Sequence, residues 1–251
     1  MVVGIDRFRA HFAGHEHQYV LIGGAASDLL MADAGLDFRA TKDLDIVLIV
    51  EALDAAFADR FWAFVEAGRY QVRQHSEGKR VLYRFQKPTN PGYPAMLELF
   101  SRMPEGLTLA EGSHLTPLPI DEEAASLSAI LLDADYYDFL TAMVRTIDGI
   151  PVLDAAAIIP FKARAWIDMV RRRDGGDKVD EKDIKKHRND VARLLQLLGA
   201  DARYDLPPVV RDDMKVFAHA LTGQADFEPK QFGVPMTRDV AVERLRAAYQ
   251  L

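Results

Sequence analysis

The chain contains no cysteine. Disulfides and thiolate-bound metal centres are thereby excluded, and a reducing compartment suits the composition. Long hydrophobic runs are also missing. Stretches such as Ile46 to Val50 fall far short of the roughly 20 apolar residues that a membrane-spanning helix needs. Met1 leads into a segment with charges of both signs and without the apolar core of a secretory signal. These absences lead us to expect a cytoplasmic protein with no membrane partner. No internal repeat or low-complexity tract is visible. The remainder is ordinary for a globular protein, with 251 residues, 49% hydrophobic and 27% charged, and a net charge of −7. That is enough for one large domain or two small ones.

The most specific pattern lies near the start. Apolar Tyr19-Val20-Leu21-Ile22, a strand or the end of a helix, runs into Gly23-Gly24-Ala25-Ala26-Ser27. About half a helix and a loop later comes Arg39-Ala40-Thr41-Lys42-Asp43-Leu44-Asp45-Ile46-Val47. On a strand, residues i and i+2 point the same way, so Asp43 and Asp45 share a face. Two carboxylates that close repel unless a cation sits between them. Hard oxygen ligands of this kind suit Mg²⁺, which fills its shell with water and substrate phosphates. Gly23 and Gly24 allow close approach of a phosphate, and Ser27 offers a hydroxyl. The backbone N–H groups that open the following helix, Ala25 to Met31, can cradle an anion. A Gly-Gly pair alone is an ordinary turn, and Asp-x-Asp alone an ordinary solvated strand face. The two in this order and at this separation are much more specific.

The pattern hydrophobic-Gly-Gly-x-x-Ser followed by Arg-x-Thr-x-Asp-x-Asp resembles the nucleotidyltransferase superfamily, which has the DNA polymerase β type of fold. The resemblance implies transfer of a nucleoside monophosphate from an NTP, with two Mg²⁺ ions held by three carboxylates. Asp43 and Asp45 are two of them, and the third is expected on a later strand. Glu98 in Met96-Leu97-Glu98-Leu99-Phe100 is the candidate, because a lone carboxylate in so apolar a strand needs a partner. That partner is a metal or, alternatively, a salt bridge to Arg84 or Arg102. Gly23, Gly24, Ser27, Arg39 and Thr41 form the implied nucleotide-binding set. His15 and His17 flank Glu16, where zinc is conceivable, but an exposed helix-to-strand junction is the preferred reading.

The periodicity predicts a leading helix from about Ile5 to His15, a helix from the glycine turn to about Ala34, and a strand from Asp43 to Val50. Leu53 to Ala67 reads as an amphipathic helix through Ala56, Phe57, Phe61, Phe64 and Val65. Tyr70–Gln74 and Lys79–Phe85 read as strands around Ser76-Glu77-Gly78, and Pro88 to Pro94 as a loop before the Glu98 strand. Gly106 to Pro119 reads as a connection. Ser126 to Leu132 reads as a strand, Ala134 to Val144 as a helix and Ile150 to Leu153 as a short strand. Asp154 caps the next helix. The expected fold is α+β: a nucleotidyltransferase-type mixed sheet with flanking helices and the carboxylates along one edge of a cleft, over residues 1–118. A mainly helical part follows over 119–251.

The second informative region runs from Ile158-Ile159-Pro160-Phe161-Lys162 to Lys186-His187-Arg188-Asn189-Asp190. Residues 162–194 carry 11 Lys or Arg against 7 Asp or Glu, an excess of four positive charges on an acidic chain. Such a segment offers a place for phosphates. The plainer reading of Arg171-Arg172-Arg173 is a solvated helical hairpin, with Asp174, Gly175, Gly176 and Asp177 as its loop. Lys162 follows an apolar helix start, where it either snorkels or points at the cleft. With this half included, the chain resembles AbiEii-type nucleotidyltransferases of type IV toxin–antitoxin and abortive-infection systems over most of residues 19–195. The resemblance implies that Lys162 contacts the NTP phosphates and that Asp190 helps organise the site. The later helix of that family commonly carries Arg/Lys-Asp-x-x-Asp. Here His187 replaces the first aspartate, unless Asp183 takes its place.

The implied chemistry puts both metals on Asp43 and Asp45, with Glu98 completing the site or acting as base. Ser27 and the Gly23-Gly24 backbone hold the β- and γ-phosphates, and Lys162 neutralises them. The implied acceptor is RNA, a tRNA 3′ end for example, and a cognate antitoxin is an implied partner. The alternatives are nucleotidylation of a small molecule or a protein, and a non-catalytic nucleotide-binding partner. Near the C-terminus Leu206-Pro207-Pro208 opens a helix whose Val209, Met214, Phe217 and Leu221 space like a core-facing stripe. Thr237 caps a last helix.

Overall fold

The computed structural model describes residues 2–72, 83–103, 115–118 and 128–251. It divides into two compact units, Met1–Leu153 and Asp154–Leu251.

Unit 1 is built on one mixed sheet. Its elements are α1 (Ile5–His11), β1 (Tyr19–Ile22), α2 (Gly23–Asp33), β2 (Asp43–Leu48), α3 (Ala55–Gly68), β3 (Gln71–Val72) and β4 (Arg84–Gln86). After these come β5 (Met96–Ser101), β6 (Leu115–Pro117), β7 (Ser128–Leu131), α4 (Ala134–Thr141), β8 (Val144–Ile147) and β9 (Ile150–Leu153). The strand order is β3-β4-β5-β2-β1-β9-β8, and the β6–β7 hairpin joins through β7 alongside β5. All four residues of β1 and of β9 are buried, as strands covered on both faces must be. β2 alternates instead: Leu44 and Ile46 are buried while Asp43 and Asp45 are half-exposed. α3 opens with the Asp54 carboxylate accepting from Phe57 N at 2.8 Å. It buries Phe57, Phe61, Phe64 and Val65, with Ala58 taking the place expected of Ala56, which is exposed. Phe64 packs edge-on to Phe8 of α1, with ring centroids 5.6 Å apart.

Three expectations are corrected in unit 1. The division expected after residue 118 falls at Leu153, because β7 and β9 belong to the same sheet and β9 pairs with β1, Val152 opposite Leu21. The helix expected to reach Val144 stops at Thr141, and Val144 opens β8. β8 and β9 form a hairpin whose two turn residues, Asp148 and Gly149, have φ of 48° and 78°. Positive φ at both is what a two-residue type I′ turn requires. The leading helix ends at His11, and Glu16–Gln18 forms a separate short 3-10 turn. The expected Ser76-Glu77-Gly78 turn and most of the Gly106–Pro119 connection lie outside the described residues.

Unit 2 is helical: α5 (Ala155–Asp174), α6 (Glu181–Leu194), α7 (Pro208–Thr222) and α8 (Arg238–Tyr249). Asp154 caps α5 by accepting from Ala156 N at 2.9 Å, and Thr237 caps α8 by accepting from Val240 N at 3.4 Å. The stripe on α7 is one residue off the expected one. Val210, Met214, Phe217 and Leu221 are buried, whereas Val209 is 39% exposed, because i and i+1 lie about 100° apart on a helix. Among the described residues, no helix is long and apolar enough to cross a membrane.

α5 contains Pro160, which has no N–H to offer the Ala156 carbonyl one turn earlier. The Tyr249 hydroxyl, fully buried near the end of α8, donates to that carbonyl at 2.8 Å. Burial and the neighbouring Tyr204 and Asp154 keep this phenol protonated far above its ordinary range. Tyr249→Phe removes the side-chain donor on Ala156 O, to which Pro160, its partner by helix spacing, cannot donate. The expected cost is about 1–3 kcal/mol, read as a lower urea midpoint at unchanged slope.

Candidate functional site

Strand register assembles the site in unit 1. β1 and β2 are antiparallel with Ile22 opposite Asp45. β2 and β5 are parallel with Asp45 opposite Glu98, and β4 and β5 antiparallel with Glu98 opposite Arg84. Directly paired residues point to the same face, so Asp45, Glu98 and Arg84 form one polar row, with Asp43 two residues along the same face. The glycine turn ends this row. Gly23, next after Ile22, has φ of +66° and opens α2 with no intervening loop. The Asp45 carboxylate lies against it, where an added Cβ would overlap Oδ2. A Cβ on Gly24 would meet Thr41 Oγ1 at 2.6 Å and Arg39 Nη2 at 3.6 Å. The structure thus brings Gly23, Gly24, Arg39, Thr41 and Asp45 together, with Asp43 and Glu98 on the adjoining face. The first amides of α2 sit at the same end, which favours negative charge there.

Ser27 is placed differently from the expectation. It is fully buried, and its hydroxyl donates to Gly23 O at 2.6 Å. Its role in the structure is to hold the glycine turn on the first turn of α2, which commits the proton expected to face a phosphate.

Glu98 is only 9% exposed, and its Oε1 is bound by Nε and Nη2 of Arg84. Of the two arginines expected as alternatives, Arg102 is engaged elsewhere, with its Nε 2.7 Å from Glu51 Oε1. Among the described residues no group of three His, Asp or Glu side chains is placed to hold a metal ion. The carboxylate of Glu98 that was expected to join Asp43 and Asp45 is held by Arg84. Asp43, Asp45 and Glu98 have the donor chemistry for Mg²⁺, which typically takes one or two carboxylates and completes its shell with water and phosphate oxygens. His15 bonds Gln18 at 2.6 Å.

The remaining expected residues belong to unit 2. Lys162 on α5 is 4% exposed, and its ammonium donates to Asp190 Oδ2 on α6 at 3.0 Å. Asp190 is fully buried and also accepts from Arg193 Nη1 at 3.4 Å. Arg193 was not anticipated, although its place three residues after Asp190 puts it on the same helix face. Asp183 is exposed and lies 3.8 Å from Lys186. Arg171, Arg172 and Arg173 are exposed at the end of α5; Arg172 pairs with Asp177 at 3.0 Å and Arg173 with Glu181 at 3.1 Å. This matches the solvated hairpin.

No protein-family model matches the chain, and no curated protein sequence matches it. A solved structure similar to it is that of the antibiotic-resistance factor ANT(2'')-Ia. The two share 16% identity over 88% of this chain and 90% of that one, with a TM-score of 0.39.

Gly23→Ala forces both a left-handed backbone onto an L side chain and the displacement of Asp45. Strain of about 1–2 kcal/mol is expected, together with a shift of the Asp45 carboxyl resonance in NMR that Gly35→Ala, in open space, does not produce. In unit 2, Arg188 and Lys185 hold the Asp226 carboxyl well below its ordinary value of 3.8. A depressed carboxyl stabilises the fold fully above its unfolded pKa and loses that contribution as pH falls through the folded one. Acidification from about pH 5 to pH 2 should therefore lower the thermal midpoint of the wild type more than that of Asp226→Asn, the two curves converging at the acid end.

Proposed function

We propose that the chain is a Mg²⁺-dependent nucleotidyltransferase that moves a nucleoside monophosphate from an NTP to a hydroxyl of RNA, a tRNA for example. By the same resemblance we assign it the role of an AbiEii-like toxin with a cognate antitoxin as partner. One observation carries the reading: Asp43 and Asp45 share a face in register with Glu98, and Asp45 abuts the Gly23-Gly24 turn that opens α2. Metal ligands and a phosphate-receptive backbone are thereby adjacent.

In this reading Asp43 and Asp45 hold the metal, and the amides that open α2 receive the phosphates, with Arg39 and Thr41 over Gly24. When bound, Mg²⁺ lowers the pKa of the attacking hydroxyl and offsets the charge of the triphosphate. The acceptor oxygen bonds to the α-phosphorus, the bond to the bridging oxygen breaks, and pyrophosphate leaves. Glu98 is assigned to complete the metal site or to take the hydroxyl proton. The resemblance assigns Lys162 to the phosphates, and its bond to Asp190 fixes the ammonium.

The test is incubation with Mg²⁺, each α-labelled NTP and total bacterial RNA, beside Asp43→Ala/Asp45→Ala. Label is expected in RNA with one preferred NTP, and the double variant should lose it by about a hundredfold or more. NTP bound in an aspartate-dependent way without labelled RNA would move the acceptor to a small molecule or a protein. Absence of NTP binding would sink the enzymatic reading.

A further inference from the structure

We propose that β4 is the acceptor platform of the site: Arg84 holds a backbone phosphate beside the attacking hydroxyl of a single-stranded RNA 3′ end, and the Tyr83 ring stacks on its base. The inference rests on the reading of the chain as a nucleotidyltransferase and adds where the acceptor lies.

The order of residues across the sheet gives the direction. Along one face come the amides that open α2 at Gly23, then Asp45 on β2, Glu98 on β5 and Arg84 on β4. In the proposed reaction the leaving pyrophosphate belongs at the α2 end. Displacement at phosphorus keeps the attacking and leaving oxygens roughly in line. The acceptor hydroxyl therefore approaches from the opposite end, over Glu98 and Arg84. What stands there is a cation. Arg84 uses Nε and Nη2 to bind Glu98 Oε1. A guanidinium carries five N–H donors in a fixed fork, so Nη1 is left to donate outward while the bond to Glu98 stays. The Arg84 side chain is 29% exposed against 11% for Glu98, although the next residue on the strand, Phe85, is fully buried. Beside it the half-buried Tyr83 ring lies 5.6 Å from the guanidinium carbon. An arginine for a phosphate and an aromatic ring for a base together suit single-stranded nucleic acid. A duplex end keeps its bases stacked, out of reach of such a ring. A cationic acceptor would be repelled by Arg84, and a neutral one would leave its outward donors unused.

The experiment uses the full chain and a fluorescein-labelled single-stranded oligoribonucleotide with a free 3′ hydroxyl. Binding is read by anisotropy over a salt series, and transfer from each NTP is read on the same RNA. Arg84→Gln should weaken RNA binding about tenfold, the loss of one charge-assisted hydrogen bond. It should also make the slope of log K against log salt shallower by about 0.7, the share of one single-strand phosphate contact. Arg84→Lys, which keeps the charge, should keep the slope. Tyr83→Leu should weaken binding about fivefold or more with the slope unchanged. In Arg84→Gln and Tyr83→Leu the KM for RNA should rise while the KM for the NTP stays. A merely structural role of Arg84 would move both KM values and leave the salt slope alone. Arg84→Gln strands the Glu98 charge, so the slope is also compared between Glu98→Gln and Arg84→Gln/Glu98→Gln, which bury no unpaired carboxylate. The drop of about 0.7 should recur between those two. Wild-type slope and affinity in the Arg84 variants, while labelled RNA still forms, overturn the platform and leave the nucleotidyltransferase reading standing. A wild type that binds NTP but neither binds nor labels the RNA overturns the platform together with the RNA acceptor.

Discussion

The register of β2 between β1 and β5 is the constraint on which the rest of the site depends. Leu44 and Ile46 are almost wholly buried, and burial of such side chains contributes about 1.5–3 kcal/mol each. A slip of one residue would expose both and drive Asp43 and Asp45 into the core. The hydrophobic effect therefore sets where the carboxylates stand, although they contribute none of it themselves. The same register delivers Glu98 beside Asp45 and Ile22 opposite it, so the chain enters the glycine turn beside the aspartates.

Around that row, each polar group answers a local electrostatic demand. A helix that starts directly from a buried strand leaves its first amides without intrahelical partners. At Gly23 there is no side chain to keep Asp45 away from them, and the Ser27 hydroxyl closes the turn from within. Farther along, Glu98 takes Arg84, while Arg102 goes to Glu51, which also accepts from the Tyr137 hydroxyl at 2.8 Å. Glu98 and Glu51 are thus each matched to one of the protein's own arginines.

What could be read from the sequence was local. The Asp-x-Asp strand, the glycine-led helix and the caps at Asp154 and Thr237 depend on neighbours within four residues. The partner of Glu98 depended on which strand lay next to β5, and either arginine was open until the register was known. β8 escaped although Asp148-Gly149 is a strong hairpin signal, because Ala134 to Val144 has helical spacing up to the strand itself. The unit boundary was misplaced for a related reason: the pairing of β9 with β1 joins residues more than a hundred positions apart, and no periodicity encodes it.

The charge of residues 162–194 shows how composition differs from surface. Of the 11 Lys and Arg counted there, Lys162 and Arg193 are spent on buried Asp190, and Arg188 and Lys185 on Asp226. Arg164 pairs with Asp213, Arg172 with Asp177, Arg173 with Glu181, and Lys186 with Asp183. Arg171, Lys178 and Lys182 remain, exposed and without an ion pair among the described residues. Burying Lys162 with Asp190 is worthwhile only where geometry is well satisfied, since removing either partner would strand a charge in the interior. Most of the positive charge of this segment is therefore matched by carboxylates of the protein itself. The net positive charge of this segment therefore overstates the number of cations that stand there without a carboxylate partner.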